Sequence, residues 1–219
     1  MAKKNKIIIS VLMILIGGIV AMVIMKKSPD STKKISKSKE DKIPEVIEIS
    51  TDFNLNEFKS EVEAKLLIEL KICDSSMKED NNLERPSCSP RFFRFFPLKY
   101  NKPLNEGFIL LVRSGVNGFP VRRLLVFERS NGKLINTNRF IGYIIQTRKK
   151  DNGYDDIIIR FFERYENQKY FYHCLYSWKK GKYEFVRCEE INSERIKPEM
   201  IDSVSVEVQK ILNEKGLVY

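Results

Sequence analysis

Between residues 91 and 190 the chain is a succession of β-branched and aromatic runs cut by turn-forming residues, and this punctuation restricts the fold more than any other feature. RFFRFFPLKY (91–100), GFILLVRSG (107–115) and FPVRRLLVFERS (119–130) lead to the turn Asn131-Gly132. LINTNRFIGYIIQTRKK (134–150) then runs to Asp151-Asn152-Gly153. DDIIIRFFERY (155–165) and KYFYHCLYSW (169–178) follow, and Lys180-Gly181 reverses the chain into KYEFVRCEE (182–190). A glycine at a short turn supplies the positive φ that a tight hairpin needs, so consecutive runs become antiparallel neighbours. No glycine-rich phosphate loop and no repeated β-α spacing occurs, which disfavours a nucleotide-binding α/β fold. Only three alanines (Ala2, Ala21, Ala64) are present in 219 residues, too few for a bundle of strong helix formers.

Two segments outside this region carry their own periods. In EVEAKLLIELKI (61–72), Val62, Ala64, Leu66, Ile68, Leu70 and Ile72 alternate with mostly charged residues, and Leu67 alone breaks the alternation. That pattern predicts a half-buried strand. From Pro198 the apolar positions become Ile201, Val204, Val208, Ile211 and Leu212, one face of a helix over 198–215 that Gly216 ends. The expected fold is therefore mainly β: an antiparallel meander, sandwich or partly closed barrel, with a C-terminal helix.

One transmembrane helix is expected ahead of it. Residues 7–25, IIISVLMILIGGIVAMVIM, hold nineteen residues without a charge. As a helix they span about 28 Å, close to the hydrocarbon core of a bilayer. The run is longer than a typical signal-peptide core, and no small-x-small cleavage site follows it, so a retained anchor is expected rather than a cleaved signal. Residues 1–6 form a short leader, and 26–43 a Lys/Ser-rich tether. Ten lysines against three acidic residues before position 44 leave the remaining chain at 29 basic and 26 acidic side chains. A domain over 44–219 with so small an excess makes no case for nucleic acid. A literal lysine count places the large domain in the cytoplasm. The brief leader and the cysteines favour export instead, with the domain in the periplasm or outside the cell. Secretion after signal cleavage is the alternative.

Cys73, Cys88, Cys174 and Cys188 fall into two close couples, which fits two local disulfides in an oxidising compartment. No C-x-x-C occurs and His173 is the one imidazole, so zinc and other metals are not expected. Cys174 and Cys188 stand directly opposite in one register of their hairpin, whereas a two-residue turn pairs His173 with Cys188. His173 and Cys174, adjacent in a strand, point to opposite faces and do not form a nucleophile pair. RKKDNGYDDIII resembles the calcium loops of FG-GAP and VCBS-type blades at Asn152, Gly153 and Asp156. Arg148 and Lys150 occupy its acidic positions, so the stretch is read as a hairpin turn.

No catalytic constellation and no cofactor motif stands out. The aromatic residues do: Phe92, Phe93 and Phe95 in one strand, Tyr170, Tyr172 and Tyr176 in another. Either they form core, or, where exposed, they offer a recognition surface of the kind Tyr and Trp build at interfaces. The expected function is that of a membrane-anchored envelope protein whose β domain is a protein-binding scaffold or accessory subunit, with those six residues as candidate contacts. A small-ligand-binding, barrel-like carrier is the alternative, and an enzyme of another type the third reading.

Overall fold

The computed structural model describes residues 45–50, 56–76, 87–116 and 119–219. The leader, anchor and tether expected over 1–43 lie outside them. Among the described residues no helix is long and apolar enough to cross a membrane. Residues 43–219 make one compact unit.

That unit is mainly β, with antiparallel sheets and a C-terminal helix. Its elements are β1 (Val46–Glu48), α1 (Glu61–Leu70), β2 (Phe93–Pro97), β3 (Gly107–Val116), β4 (Phe119–Ser130) and β5 (Lys133–Ile141). After them come β6 (Tyr143–Arg148), β7 (Asp156–Tyr165), β8 (Gln168–Lys179), β9 (Lys182–Ile191), β10 (Glu194–Arg195) and α2 (Ile201–Glu214). Strands β2-β3-β4-β5 form one sheet, and β1-β6-β7-β8-β9-β10 a second. The run 134–150 is thus split between the sheets at Gly142, where a Cβ would lie 2.7 Å from the Arg160 carbonyl oxygen. Only glycine lets the strand cross so close to β7.

Two cores follow from strict alternation in β3. Ile109 and Leu111 face the second sheet and, with Phe140 of β5, Ile157, Ile159, Phe161 and Tyr176 of that sheet and Leu212 of α2, make the larger core. Phe108, Leu110 and Val112 face the opposite way, onto Leu66 and Leu67 of α1 together with Phe93, Phe95 and Phe127. A strand covered on both faces reads as an unbroken apolar run, which is what FILLV is. Ring contacts knit both layers: Phe140–Tyr176 at 5.0 Å between centroids, and Phe95–Phe108 at 5.2 Å.

Residues 61–70 are helical rather than a strand. Glu, Lys, Leu and Ala favour helix, and Lys65 donates to Glu61 one turn earlier at 3.3 Å. Leu67, the residue that broke the alternation, is fully buried, while Ile68 is exposed. Glu63, Leu66, Leu67 and Leu70 make the helical stripe. The C-terminal helix forms as expected, after a 3-10 turn at Pro198–Met200. Gly216, at φ 61°, then sends the tail back along β5, where Tyr219 and Arg139 exchange backbone hydrogen bonds of 2.9 and 3.3 Å.

The outer edge of β9 is paired by β10 only at Glu190 and Ile191, and side chains cap it nearer the turn. The buried amide of Asn138 on β5 donates to the Tyr183 carbonyl at 3.0 Å and accepts from the Tyr183 N–H at 2.7 Å. Further along, the Cys188 N–H donates to the Ser205 hydroxyl of α2 at 2.9 Å. The loop between β6 and β7, which resembled a calcium site, is organised by an internal cation. The Lys99 ammonium donates to the carbonyls of Lys150, Asp151 and Gly153 at 3.2, 3.1 and 3.0 Å.

Candidate interaction surface

Four of the six aromatic contact candidates are buried: Phe93 and Phe95 beneath α1, Tyr172 and Tyr176 between the sheets. Alternation directs them inward, and their rings offer a partner no surface. Phe92 is half-buried, with the Arg91 guanidinium 4.7 Å from its ring centroid. Tyr170 is also half-buried, stacks on Tyr172 and donates to Gln168 at 2.7 Å.

The same alternation turns a different set outward on the second sheet. Since Ile157, Ile159 and Phe161 of β7 and Tyr172, Cys174 and Tyr176 of β8 face the core, Ile158, Arg160 and Phe162 face out, as do Phe171, His173 and Leu175. Tyr143, Arg160, His173 and Glu190 fall in one row across β6, β7, β8 and β9, each the direct cross-strand partner of the next.

Two bulges in β9 make this row. From the Lys180-Gly181 turn the initial register, Lys179 opposite Lys182 and Trp178 opposite Tyr183, would carry His173 onto Cys188. The first bulge leaves Val186 without an opposite residue, which sets Cys188 against Cys174. The second leaves Glu189 out and sets Glu190 against His173. Each extra residue in a bulge advances one strand past the other and re-aims the side chains beyond it.

His173 Nδ1 lies 2.8 Å from Glu190 Oε2. A carboxylate only accepts, so Nδ1 is the donor of this pair. Arg160 Nη1 donates to the Tyr143 hydroxyl at 3.2 Å, and its guanidinium lies 4.8 Å from the Phe171 ring centroid. Arg122 approaches the Tyr143 ring at 5.0 Å. At the middle of the row Arg160 Nε, a donor, and His173 Nε2 are both buried without a hydrogen-bond partner among the described residues.

The row divides two unlike zones. On one side Ile158 and Leu175, cross-strand partners, are 3 % and 5 % exposed although they belong to neither core. Arg148 of β6 reaches diagonally across them to Glu189 of β9, with hydrogen bonds of 2.9 and 2.6 Å. Arg187 adds a third contact to Glu189 at 2.8 Å. Burial alone would raise the Glu189 pKa, but Arg148 and then Arg187 outweigh it and hold the carboxyl below its ordinary range. These long side chains seal the aliphatic pair with their stems. On the other side Phe162 and Phe171 pack at 5.3 Å, and Phe162 remains 44 % exposed.

Cys73 and Cys88 are disulfide-bonded. Cys174 and Cys188 are free, buried thiols, cross-strand partners on the inner face. Sequence reasoning found no acidic partner for His173, because the second bulge that brings Glu190 to it has no turn residue or glycine to announce it. Arg160 and Phe162 lie in DDIIIRFFERY, where apolar residues fill both faces of the strand and mark neither as outer, and Phe171 lies in an aromatic run with the same ambiguity. The carboxylate-oriented imidazole has the form of a general base, but the neighbouring thiol, Cys174, points to the other face of the sheet. Comparison with known proteins finds no matching family model, no similar curated protein and no matching solved structure.

Proposed function

We propose that this chain is a single-pass protein of the cytoplasmic membrane whose exported β domain binds another envelope protein through the outer face of β6–β9. The observation that supports this reading most is the cluster Arg160, Phe162 and Phe171. It combines a half-buried guanidinium lying over the Phe171 ring, a tilted pair of packed rings and a half-exposed Phe beside a sealed, salt-bridged floor. Arginine and aromatic side chains surrounded by groups that exclude water are what interface hot spots are made of. A rigid sheet also presents them at little ordering cost. A tether of about 18 residues lets such a domain search some 20–25 Å from its anchor, so modest affinity suffices for lasting occupancy. The rings that fill the space between the sheets, Phe140, Phe161 and Tyr176, favour this reading over a small-ligand carrier.

The test is affinity capture from detergent-solubilised membranes with the tagged full-length chain, comparing wild type with Phe162→Ala and Arg160→Ala. Val206→Ala, at an exposed position on α2, is the control. The captured protein is expected to be retained by wild type and control and lost by both outer-face variants, with unchanged circular dichroism. Capture that ignores all three substitutions, or that matches a tag-only control, refutes the assignment of this face.

A further inference from the structure

We infer that Cys174 and Cys188 are the site of a second, cross-strand disulfide, made while the chain folds and then sealed beneath α2. This goes beyond the proposed docking face and rests on the oxidised state of the first cysteine pair. Cys73 and Cys88 are joined, so the chain folds where an oxidant reaches its thiols. Cys174 and Cys188 oppose each other directly, in the single-register window between the two β9 bulges. The two side chains have no exposed surface and share the inner face of the sheet.

The step needs an external two-electron acceptor, and a thiol–disulfide oxidoreductase of the envelope supplies it. The thiolate of one cysteine attacks the enzyme's disulfide and releases one enzyme thiol. The second cysteine then attacks the mixed disulfide, releasing the other. The two cysteine thiols lose two protons and two electrons, and the enzyme's disulfide is reduced to a dithiol.

Timing follows from the packing. α2 lies over the pair: Ser205 accepts the Cys188 N–H at 2.9 Å, while Val208 and Leu212 share the core with both sulfurs. Both side chains are fully buried beneath it, so the docked domain leaves an oxidant no access to either sulfur. Oxidation therefore precedes the docking of α2. Once made, the bond fixes the register between the bulges, and with it the alignment of Arg160, His173 and Glu190 on the opposite face.

The experiment takes the full-length protein from the membranes of its own cells, denatured in alkylating reagent, and maps its peptides without reduction. Linked Cys73–Cys88 and Cys174–Cys188 peptides are expected. Alkylated Cys174 and Cys188 beside a linked Cys73–Cys88 overturn the proposal. Four alkylated cysteines overturn it too, and with it the oxidising compartment on which it rests, while leaving the docking face to its own test. The order of events is read in a second arm. Protein refolded fully reduced and then given glutathione disulfide is expected to close Cys73–Cys88 at least roughly tenfold faster than Cys174–Cys188. Ser205→Ala, which loosens α2, is expected to narrow that gap. Equal rates in the folded wild type refute the sealing by α2.

Discussion

Removing the Asn138 amide tests whether one side chain can stand in for a missing strand. Asn138 satisfies both the N–H and the carbonyl of Tyr183, at 2.7 and 3.0 Å, in a site where Asn138 itself is buried. In Asn138→Ala both backbone groups lose their partner. Each buried group left unsatisfied costs about 1–3 kcal/mol, less where water enters the space the amide vacated, so the pair is expected to cost about 2–4 kcal/mol. For a domain of this size 1 kcal/mol moves the midpoint by about 2–4 °C, which puts the expected fall in Tm at roughly 4–16 °C. Asn138→Leu separates hydrogen bonding from packing. It restores the volume, admits no water, and is expected to be at least as destabilised as the alanine variant. Thermal unfolding followed by near-ultraviolet circular dichroism reads both, because Tyr183 and Trp178 pack edge to face at 5.2 Å near the substitution. A fall of under 1 °C in Asn138→Ala, or a leucine variant as stable as wild type, would show that the β9 edge does not depend on this amide.

Three other outcomes follow from the same packing. Gly142→Ala places a Cβ 2.7 Å from the Arg160 carbonyl oxygen, and the backbone shift it forces is expected to lower stability by about 1–3 kcal/mol in denaturant titration. Lys99→Met strips three carbonyls of their donor, and faster amide hydrogen exchange over residues 149–155 is the expected result, with the core strands unchanged. The Glu189 carboxyl, held below its ordinary pKa by Arg148 and Arg187, contributes stability that is present above its unfolded pKa and is lost as pH falls through the lower folded value. Glu189→Gln is expected to flatten the acid side of a plot of Tm against pH, and an unchanged acid limb refutes the contribution.

The order of strands was legible because turn chemistry is local. Asn131-Gly132 and Lys180-Gly181 fix their hairpins without reference to the rest of the chain, and both glycines adopt the positive φ that such turns need. The helix at 61–70 was misread because alternation was weighed against composition, and alternation won. A surface helix whose inward stripe is Glu63, Leu66, Leu67 and Leu70 leaves Ile68 outside, and Ile68 supported the false strand pattern. The two-sheet split at Gly142 was hidden for another reason: the constraint is the Arg160 carbonyl, 18 residues away, and nothing local records it. Four of the six aromatic candidates, Phe93, Phe95, Tyr172 and Tyr176, lie in the cores for a simple geometric cause. Alternation identified two sets of side chains in RFFRFF and KYFYHCLYSW, but which set meets a second layer is decided by α1 and by the other sheet.

The outer face was the least legible part, and the bulges explain why. In the register that the two-residue turn dictates, an imidazole meets a thiol, and the arrangement invites a reading as catalytic. Val186 and Glu189, each left without an opposite residue, turn that into two separate pairs on opposite faces: thiol with thiol inside, imidazole with carboxylate outside. The inner pair then lies under α2, and the outer pair joins a row that contains one arginine and no nucleophile but a tyrosine whose hydroxyl already accepts from Arg160. An isolated bulge would have sufficed to bring the cysteines together. The second has a separate effect, because it is what carries Glu190 to His173 and leaves Glu189 free to reach Arg148 across the sheet. A face assembled by two successive insertions, with its aliphatic floor sealed by ion pairs and Phe162 left half-exposed beside it, is the surface on which the contact role proposed above rests.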